Sequence, residues 1–291
     1  MPNGIIIIDK PSDWTSMDVC AKLRGMFREK RIGHAGTLDP MATGILPVFV
    51  GRATRAVEFT EHYDKEYVAG LRLGQVTNTQ DTSGEVLEEQ PVAVSREDVE
   101  RVLERFRGPI QQIPPMYSAI KVNGKKLYEL ARKGKEVERK ARQIVIQELE
   151  LLEQVSGTDY LLRISCSKGT YVRTLCHDIG QALGCGATMY SLRRTRVGPF
   201  REGVTLEQVQ QAATEERAVE LLTPVDGCFV HHPAVTATER EWTKFIRNGT
   251  PYASELAEGT YRVYGPDGAF LMLGRVENGL MTTVKSFFEV K

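Results

Sequence analysis

The chain has 291 residues, with 38 basic and 38 acidic side chains and a formal net charge of zero. The hydrophobic share of 41% and the charged share of 26% are typical of a soluble globular protein, and the length suits one large domain with a small one. No apolar run approaches the roughly 18 residues of a membrane span. Ile5–Ile8 is too short for the core of a signal peptide, so we expect a cytoplasmic protein that does not enter a membrane.

From the N-terminus to residue 108, apolar periodicity predicts strands, helices and one loop. Pro47, within the second strand, indicates an edge or a bulge there. Ser16 and Ser95 are placed to cap two helices, Ser95 in a capping box with Asp98, and Gly108-Pro109 ends the second helix. The predicted elements are, in order, a strand at Gly4–Ile8, a helix after Ser16 that buries Val19, Cys20, Leu23 and Phe27, strands at Ile45–Val50 and Lys65–Leu73, a loop at Asn78–Glu89, and a helix that buries Val99, Val102, Leu103 and Phe106.

Residues 109–142 form a basic insert between two regular parts of the chain. Asn123-Gly124 predicts a turn, and Leu127–Arg132 predicts one short helix that stops at Gly134. The insert is rich in prolines at its start and carries Tyr117 and Tyr128. We interpret it as a flexible arm that lies over a ligand.

From residue 143 to 230 the predicted elements are again regular, and Thr170 is placed to cap the longest helix, which Gly184 closes. The segment from Thr223-Pro224 to His232-Pro233 is expected to be a linker. The predicted elements are antiparallel strands at Gln143–Leu152 and Tyr160–Cys166, a helix that buries Val172, Leu175, Cys176, Ile179 and Leu183, a strand at Met189–Val197, and short helices at Leu206–Ala213 and Glu216–Leu222.

After Pro233 the pattern changes to one short helix followed by short strands with glycine-rich turns. This predicts a small β-barrel-like domain of about sixty residues. Its elements are a helix at Glu239–Arg247 closed by Gly249 and strands at Thr260–Tyr264, Phe270–Val276 and Met281–Phe288.

Charge is segregated along the chain although the total is balanced. Residues 118–142 hold nine basic against three acidic side chains, residues 163–201 hold seven against one, and residues 81–100 hold one against seven. Such segregation permits a one-sided surface for phosphate groups. An uneven solvated surface without a ligand fits the same pattern.

Cysteine and histidine usage gives no sign of a metal site. The five cysteines form no CxxC pair and lie in apolar or helical contexts, which favours reduced core residues of a cytosolic protein. The five histidines show no spacing typical of zinc ligands. We therefore expect neither metal nor cofactor.

The segment GHAGTLDPMATG, from Gly33 to Gly44, carries one carboxylate, Asp39, followed by Pro40. Proline biases the preceding residue toward an extended backbone, and the glycines allow a tight turn close to a ligand. A carboxylate held in this way suits a nucleophile or a base. An Asp-Pro turn without chemistry fits the same residues.

This segment resembles the catalytic loop of the RNA pseudouridine synthases, and specifically of the tRNA pseudouridine synthase B family. Three further segments carry the resemblance: DKPSDWTS at Asp9–Ser16, KEYVAGLRLG at Lys65–Gly74 and SKGTYVRTLCHDIG at Ser167–Gly180. Several adjacent residues match in each, which makes the signal far more specific than one short motif. The resemblance implies an isomerase that converts uridine to pseudouridine at position 55 in the T-loop of tRNA. It also implies an enzyme that acts as a monomer, without a cofactor and without an obligate protein partner.

The same resemblance implies an α+β fold. A catalytic domain at residues 1–230, with the insert at about 109–142, is expected to be built on a mixed, mainly antiparallel sheet with flanking helices. Residues 231–291 resemble the β-barrel-like PUA domain, an RNA-binding unit that follows the catalytic domain in this family.

Three residues are expected to carry the chemistry. Asp39 assists cleavage of the glycosidic bond, Arg173 keeps it ionised, and Tyr67 stacks on the flipped uracil and is placed to remove the C5 proton. The order of bond-making stays open, because Asp39 is able to attack C1′ or C6 or to deprotonate C2′. By pattern alone, a solvated helix residue remains the alternative for Arg173, and Tyr67 is equally an ordinary core residue.

Four more residues are carried over from the resemblance as substrate-binding. His34 is expected to wedge into the T-loop and fill the space that flipped bases vacate. Leu192 is expected to pack against the active site, although ordinary core packing fits it equally well. Lys10 is expected to support the catalytic loop, and Tyr171 to contact the substrate.

Two other functions remain open at this point. An RNA-binding or RNA-folding module would use the same basic arm and small C-terminal domain, but it has no need for Asp39, Tyr67 and Arg173 together. The guide-RNA-dependent branch of the same superfamily would need partner proteins, and the sequence has no extended charged tail that would suit them.

Overall fold

The computed structural model describes residues 2–118, 120–122 and 124–289. Asn123 of the expected Asn123-Gly124 turn lies outside them. The strands are β1 (Gly4–Lys10), β2 (Ile32–His34), β3 (Thr43–Val50), β4 (Lys65–Leu73), β5 (Gln75–Thr77), β6 (Val86–Glu89), β7 (Gly108–Gln112), β8 (Lys121–Val122), β9 (Lys125–Lys126), β10 (Arg142–Gln154), β11 (Asp159–Cys166), β12 (Ala187–Val197), β13 (Ala234–Thr236), β14 (Tyr252–Ala253), β15 (Gly259–Tyr264), β16 (Phe270–Glu277) and β17 (Leu280–Ser286). The α-helices are α1 (Ser16–Phe27), α2 (Val57–Thr60), α3 (Arg96–Leu103), α4 (Leu127–Ala131), α5 (Val172–Leu183), α6 (Leu206–Thr214) and α7 (Glu239–Lys244).

A large mixed sheet organises the first 200 residues. Its strand order is β1-β3-β12-β4-β11-β10-β7, and β2 also pairs with β3. The pairing of β3 with β12 is parallel and the other pairings of this sheet are antiparallel, as predicted. Helices α3 and α5 pack against β4, β10 and β11, while α1 and α6 pack against β1 and β3. The expected α+β architecture is therefore confirmed.

Strand β4 lies at the middle of this sheet, and its alternating side chains explain its place. Tyr67, Ala69, Leu71 and Leu73 are all buried in the main core, as the period of two predicts. Strand β3, in contrast, is buried on both faces and is interior to the sheet, so the expectation of an edge at Pro47 is wrong. The Pro47 carbonyl accepts a hydrogen bond from the Ala35 N–H at 2.9 Å. Proline has no backbone N–H. At Pro47 this missing donor lies on the side of β3 that faces the gap between β2 and β12, so the pairing of β3 with β1 is not interrupted.

Two predicted helix caps are displaced by one residue. Helix α1 is capped by Thr15, whose hydroxyl accepts the Asp18 N–H at 3.0 Å, whereas the Ser16 hydroxyl bonds to Leu38 instead. Helix α5 begins after Tyr171, because the Thr170 hydroxyl donates to the Ser167 carbonyl at 2.9 Å. The box of Ser95 with Asp98 is confirmed.

Three segments expected to be irregular are ordered parts of the fold. The predicted loop at 78–89 ends in strand β6, which pairs with β5. The insert begins with β7, which pairs with β10 at the end of the large sheet. The predicted linker contains a 3₁₀ helix, Val225–Phe229, whose apolar side chains are buried between the two sheets. The buried side chains of Val225, Cys228 and Phe229 have helical spacing, but they cover a single turn. Their pattern was therefore too short to predict a helix.

The C-terminal residues form a second sheet of five strands in the order β13-β15-β16-β17-β14. This half-barrel is consistent with the expected PUA-like unit. It packs on the first sheet through Leu273 and Phe287, which share a cluster with Phe49 and Phe229. The boundary at residue 230 stays a prediction. Among the described residues, no helix is long and apolar enough to cross a membrane.

Candidate active site

A cavity of about 810 Å³ opens where β4, β12, the start of α5 and the loop after β2 meet. This volume falls within the range of small-molecule sites, about 300–1,000 Å³. Five of the seven predicted site residues line it: Asp39, Tyr67, Tyr171, Arg173 and Leu192. His34 and Lys10 do not belong to its described wall.

The loop that carries Asp39 is held by backbone contacts at both sides. The Pro40 carbonyl accepts the Asp13 N–H at 2.8 Å, and the Ser16 hydroxyl accepts the Leu38 N–H at 2.9 Å. Gly44 has φ +101°, and a Cβ there would lie 2.2 Å from the Arg194 carbonyl oxygen. A glycine is therefore required for the loop to enter β3, and Asp39 is presented by a stiff turn.

Arg173 joins the helix to this loop. Its Nε lies 3.0 Å from Oδ2 of Asp39, and its Nη2 donates to the Tyr117 carbonyl at 2.9 Å. Only 6% of its side chain is exposed, against 37% for Asp39. The carboxylate thus faces the cavity while its cation is buried behind it, which is the arrangement that a reactive acid requires.

Asp81 is a second carboxylate on Arg173, and the sequence analysis did not single it out. Its Oδ2 lies 3.4 Å from Arg173 Nη1, and its side chain is 4% exposed. The other carboxylate oxygen accepts from the Thr79 hydroxyl at 2.8 Å and from the Ser83 N–H at 3.0 Å. The sequence signal was present as a Thr-x-Asp-x-Ser pattern in a polar loop, but nothing local relates that loop to Arg173.

The electrostatics of Asp39 follow from this grouping. Burial raises the pKa of its carboxyl above the ordinary value, and the Arg173 guanidinium opposes that rise. The neighbouring Asp81 carboxylate raises the pKa further, because two like charges disfavour each other. Asp39 is therefore more basic than an ordinary aspartate, which suits a base or a nucleophile.

Tyr67 and Leu192 face the cavity from neighbouring strands. Leu192 is paired with Ala69 across β12 and β4, two residues from Tyr67. Burial raises the pKa of the Tyr67 hydroxyl to about 12, and the Arg194 guanidinium opposes the rise. The ring is held on the sheet as a flat apolar wall, and its hydroxyl is protonated at neutral pH.

Tyr171 is placed by the insert strand β7. Gln112 accepts the Tyr171 N–H at 2.8 Å and donates to its carbonyl at 3.1 Å. Burial raises the pKa of the Tyr171 hydroxyl. The residue before α5 is thereby held at the cavity wall beside Arg173.

Lys10 and His34 lie outside the wall of the cavity. The Lys10 ammonium is fully buried and donates to the carbonyls of Pro11, Trp14 and Pro40 at 2.8, 2.6 and 3.1 Å. Burial lowers the pKa of Lys10 to about 8. His34 ends β2, where burial and the Arg194 charge lower its pKa and favour the neutral ring. Lys10 thus clamps the residue after Asp39, as expected for a loop support.

The insert reaches the cavity as well. Tyr117, Tyr128 and Arg132 contribute to its wall, and Arg132 and Lys126 each lie 5.4 Å from the centroid of the Tyr128 ring. An aromatic face flanked by cations is suited to a nucleic-acid base and its phosphate. Among the described residues, no group of three or more His, Cys, Asp or Glu side chains is arranged to hold a metal ion.

Comparison with known proteins decides the family. Residues 24–172 match the model of the TruB family pseudouridylate synthase N-terminal domain, and residues 173–230 match that of the tRNA pseudouridylate synthase B C-terminal domain. The chain belongs to the TruB family of pseudouridylate synthases.

Relatives within the TruB family match along nearly the whole chain. The chain is 45% identical over 280 residues to a tRNA pseudouridine synthase B of Pseudomonas putida, with 94% of this chain and 92% of the relative covered. It is 42% identical over 290 residues to the tRNA pseudouridine synthase B of Francisella tularensis subsp. novicida, with 98% and 95% covered.

Solved structures with the same fold extend the TruB family comparison. The chain superposes with TM-score 0.71 and 26% identity on a chain of the archaeal box H/ACA sRNP Nop10-Cbf5 complex, covering 99% of this chain and 86% of that one. A chain of an H/ACA RNP bound to a substrate RNA containing 2′-deoxyuridine gives the same TM-score and identity, with 98% and 85% covered. The TruB fold therefore recurs in proteins that act within RNA complexes.

Proposed function

We propose that this chain isomerises uridine to pseudouridine at position 55 in the T-loop of tRNA, with Asp39 as the reactive residue. Its membership of a pseudouridylate synthase family supports the reaction class. The observation that carries the assignment of Asp39 is its half-exposed carboxylate, ion-paired at 3.0 Å to the buried Arg173 on the wall of a cavity that the Tyr67 ring also lines.

The target uridine leaves the base stack to reach this cavity, at a cost of a few kcal/mol. Tyr67 provides a buried ring for the everted uracil to stack on, and Leu192 provides an apolar neighbour. His34, as the family resemblance implies, fills the space in the T-loop that flipped bases leave. Tyr171 contacts the same nucleotide beside Arg173.

The reaction conserves all atoms. The C1′–N1 bond breaks with its electron pair left on uracil, and the base turns so that C5 faces the ribose. A C1′–C5 bond then forms, C5 loses its proton, and N1 gains one. Asp39 acts at C1′, C6 or the C2′ proton, and its raised pKa serves each route because each uses the ionised carboxylate as a nucleophile or base.

RNA binding is assigned to the insert and to the C-terminal sheet. The insert has nine basic against three acidic side chains between residues 118 and 142, and Tyr128 and Arg132 extend it to the cavity wall. A positively charged surface beside a stacking platform fits a folded RNA arm. The C-terminal sheet is packed against the catalytic sheet, so it is held in a defined position to contact the same RNA.

A guide-RNA-dependent role is the alternative that the fold comparison raises, because the H/ACA complexes contain the same fold. The higher identity, 45% against 26%, lies with relatives named tRNA pseudouridine synthase B. We therefore propose a monomer that acts in the cytoplasm without an obligate protein partner, a metal or a cofactor.

One assay tests the whole proposal. The purified chain alone is incubated with a single unmodified tRNA, and pseudouridine is mapped by chemical modification and sequencing. Pseudouridine at position 55, formed without added protein or guide RNA, is the expected result, and Asp39→Asn is the matched inactive control. Modification elsewhere would reject the T-loop assignment. Binding without modification by the wild-type chain would support the RNA-folding alternative.

A further inference from the structure

Arg194 is a buried cation on the cavity wall whose role the reaction has not yet used. It lies on β12, and 1% of the residue is exposed. Its Nε donates to the Ile45 carbonyl at 2.7 Å and its Nη2 to the Gly36 carbonyl at 3.0 Å. Tyr67 is its direct neighbour across β12 and β4, and the Arg194 guanidinium opposes the rise in the pKa of the Tyr67 hydroxyl.

The two buried arginines of the site differ in their partners. Arg173 is paired with the carboxylates of Asp39 and Asp81. Arg194 has no ion pair with a carboxylate among the residues that the structure describes. Buried charges without a counter-ion are costly, so hydrogen bonds must offset the cost. The positive charge of Arg194 is therefore left to act on what lies next to it, which is the Tyr67 hydroxyl and the cavity.

The loop that presents Asp39 is shaped around Arg194. Gly36 has φ +75°, and a Cβ there would lie 3.3 Å from Arg194 Nη1. Gly44, at the other end of the loop, lies against the Arg194 backbone. Arg194 thus contacts the loop before Asp39 and the strand after it, and it is paired across the sheet with Tyr67.

We propose that Arg194 is a positioning residue for the isomerisation, which holds the Tyr67 hydroxyl and the Gly36 turn in one arrangement so that the uracil lies between the ring and Asp39. This inference rests on the proposed function. Arg194 acts through Tyr67 and the loop and needs no contact with the substrate.

Replacement by lysine tests the geometry while keeping the charge. A lysine ammonium is a single point of charge and is unable to reproduce the planar fork that reaches the Ile45 and Gly36 carbonyls. We expect Arg194→Lys to lower the single-turnover rate on tRNA by about 10- to 100-fold, while the Kd for tRNA changes by less than about threefold. Hydrogen exchange of the backbone between residues 33 and 44 should become faster. If Arg194 only stabilised the fold, its replacement would lower the melting temperature, and it would not reduce the rate while leaving the Kd for tRNA unchanged.

Arg193→Lys is the matched control. Arg193 is the preceding residue, its side chain is half exposed, and its guanidinium pairs with Asp9 at 2.9 Å, away from the cavity. Its replacement should leave both the rate and the Kd within about twofold of the wild type. A wild-type rate for Arg194→Lys, or a loss of rate matched by an equal loss of binding, would overturn the proposal.

Tyr67→Phe is the second test if Arg194→Lys fails to fold, because it keeps the ring and removes only the hydroxyl on which the Arg194 charge acts. We expect a slowed single-turnover rate with unchanged tRNA binding; a Tyr67→Phe chain that runs at the wild-type rate would overturn the proposal. Wild-type inactivity on tRNA in the same assay would mean that the proposed function itself has failed. Wild-type activity with undisturbed variants would mean that only the role of Arg194 is wrong.

Discussion

Arg173 Nε and Asp39 Oδ2 lie 3.0 Å apart, although the two residues are separated by 134 positions in the chain. The ion pair forms because the helix that follows β11 starts at the level of the loop between β2 and β3. In this arrangement the Asp39 carboxylate is open to the cavity, and the Arg173 guanidinium is buried next to it.

Asp39→Asn should abolish the release of tritium from 5-tritiated uridine in tRNA while tRNA binding stays within about threefold of the wild type. Asparagine keeps the shape but is neither a nucleophile nor a base under these conditions. The rate of tritium release and a filter-binding Kd measure the two effects. Asp178→Asn is the control, a half-buried carboxylate on α5 outside the cavity wall, and it should remain active. Turnover by Asp39→Asn near the wild-type rate would reject its catalytic role.

Arg173→Met should destabilise the fold by about 3–5 kcal/mol, because it leaves the buried Asp81 and the adjacent Asp39 without their cation. Urea unfolding measures the change in the free energy of unfolding. Arg163→Met is the comparison, since Arg163 pairs with Glu150 on an exposed surface and should cost no more than about 1 kcal/mol. Equal effects of the two replacements would contradict the buried network.

The rate of isomerisation should fall as pH is lowered through the pKa of Asp39, because only the ionised carboxylate reacts. That pKa is raised by burial, so the acid limb should lie above the range of an ordinary aspartate, about 4. Asp81→Asn removes a like charge and should move the limb to lower pH. Single-turnover rates between pH 4 and pH 8 provide the test. If the acid limb of the Asp81→Asn profile stays at the wild-type position, Asp81 does not influence the pKa of Asp39.

The raised pKa of Asp39 should also make the stability of the fold depend on pH. A carboxyl whose pKa is higher in the folded than in the unfolded chain disfavours folding once it is ionised, so its cost is fully present above the folded pKa and absent below the unfolded one. The stability of the wild type relative to Asp39→Asn should therefore increase as pH falls from 7 through the pKa of Asp39. Thermal unfolding of both chains at several pH values measures this difference; a relative stability of the wild type that decreases as pH falls would contradict the raised pKa.

Charge reversal in the insert should weaken tRNA binding and reduce its dependence on salt. Lys133, Lys135 and Lys140 are exposed, and each phosphate contact that is lost lowers the slope of log K against log salt by about 0.7–0.9. Arg105→Glu is the control, an exposed cation outside the insert. Binding curves at several salt concentrations give the slopes. An unchanged slope for the triple reversal would exclude the insert from the RNA surface.

Local patterns in the sequence determined most of the elements, and resemblance to a known family indicated the chemical residues. The alternation in Lys65–Leu73 identified the central strand, and the apolar face that begins at Val19 identified α1, because periods of 2 and 3.6 follow from local backbone geometry. Motif resemblance identified Asp39, Tyr67 and Arg173, which the fold then brings to one cavity. Their individual roles remain predictions until the variants are measured.

Only the tertiary structure decided which side chains meet. Asp81 and Arg194 carry no local sign of their roles, because an acid in a polar loop and an arginine in a strand look the same whether they are solvated or buried. The cap at Ser16 was displaced because the distant Leu38 N–H donates to its hydroxyl. Hydrogen bonds and ion pairs act between groups that the folded chain brings close, so their partners follow from topology, whereas strand and helix periods are already present in neighbouring residues.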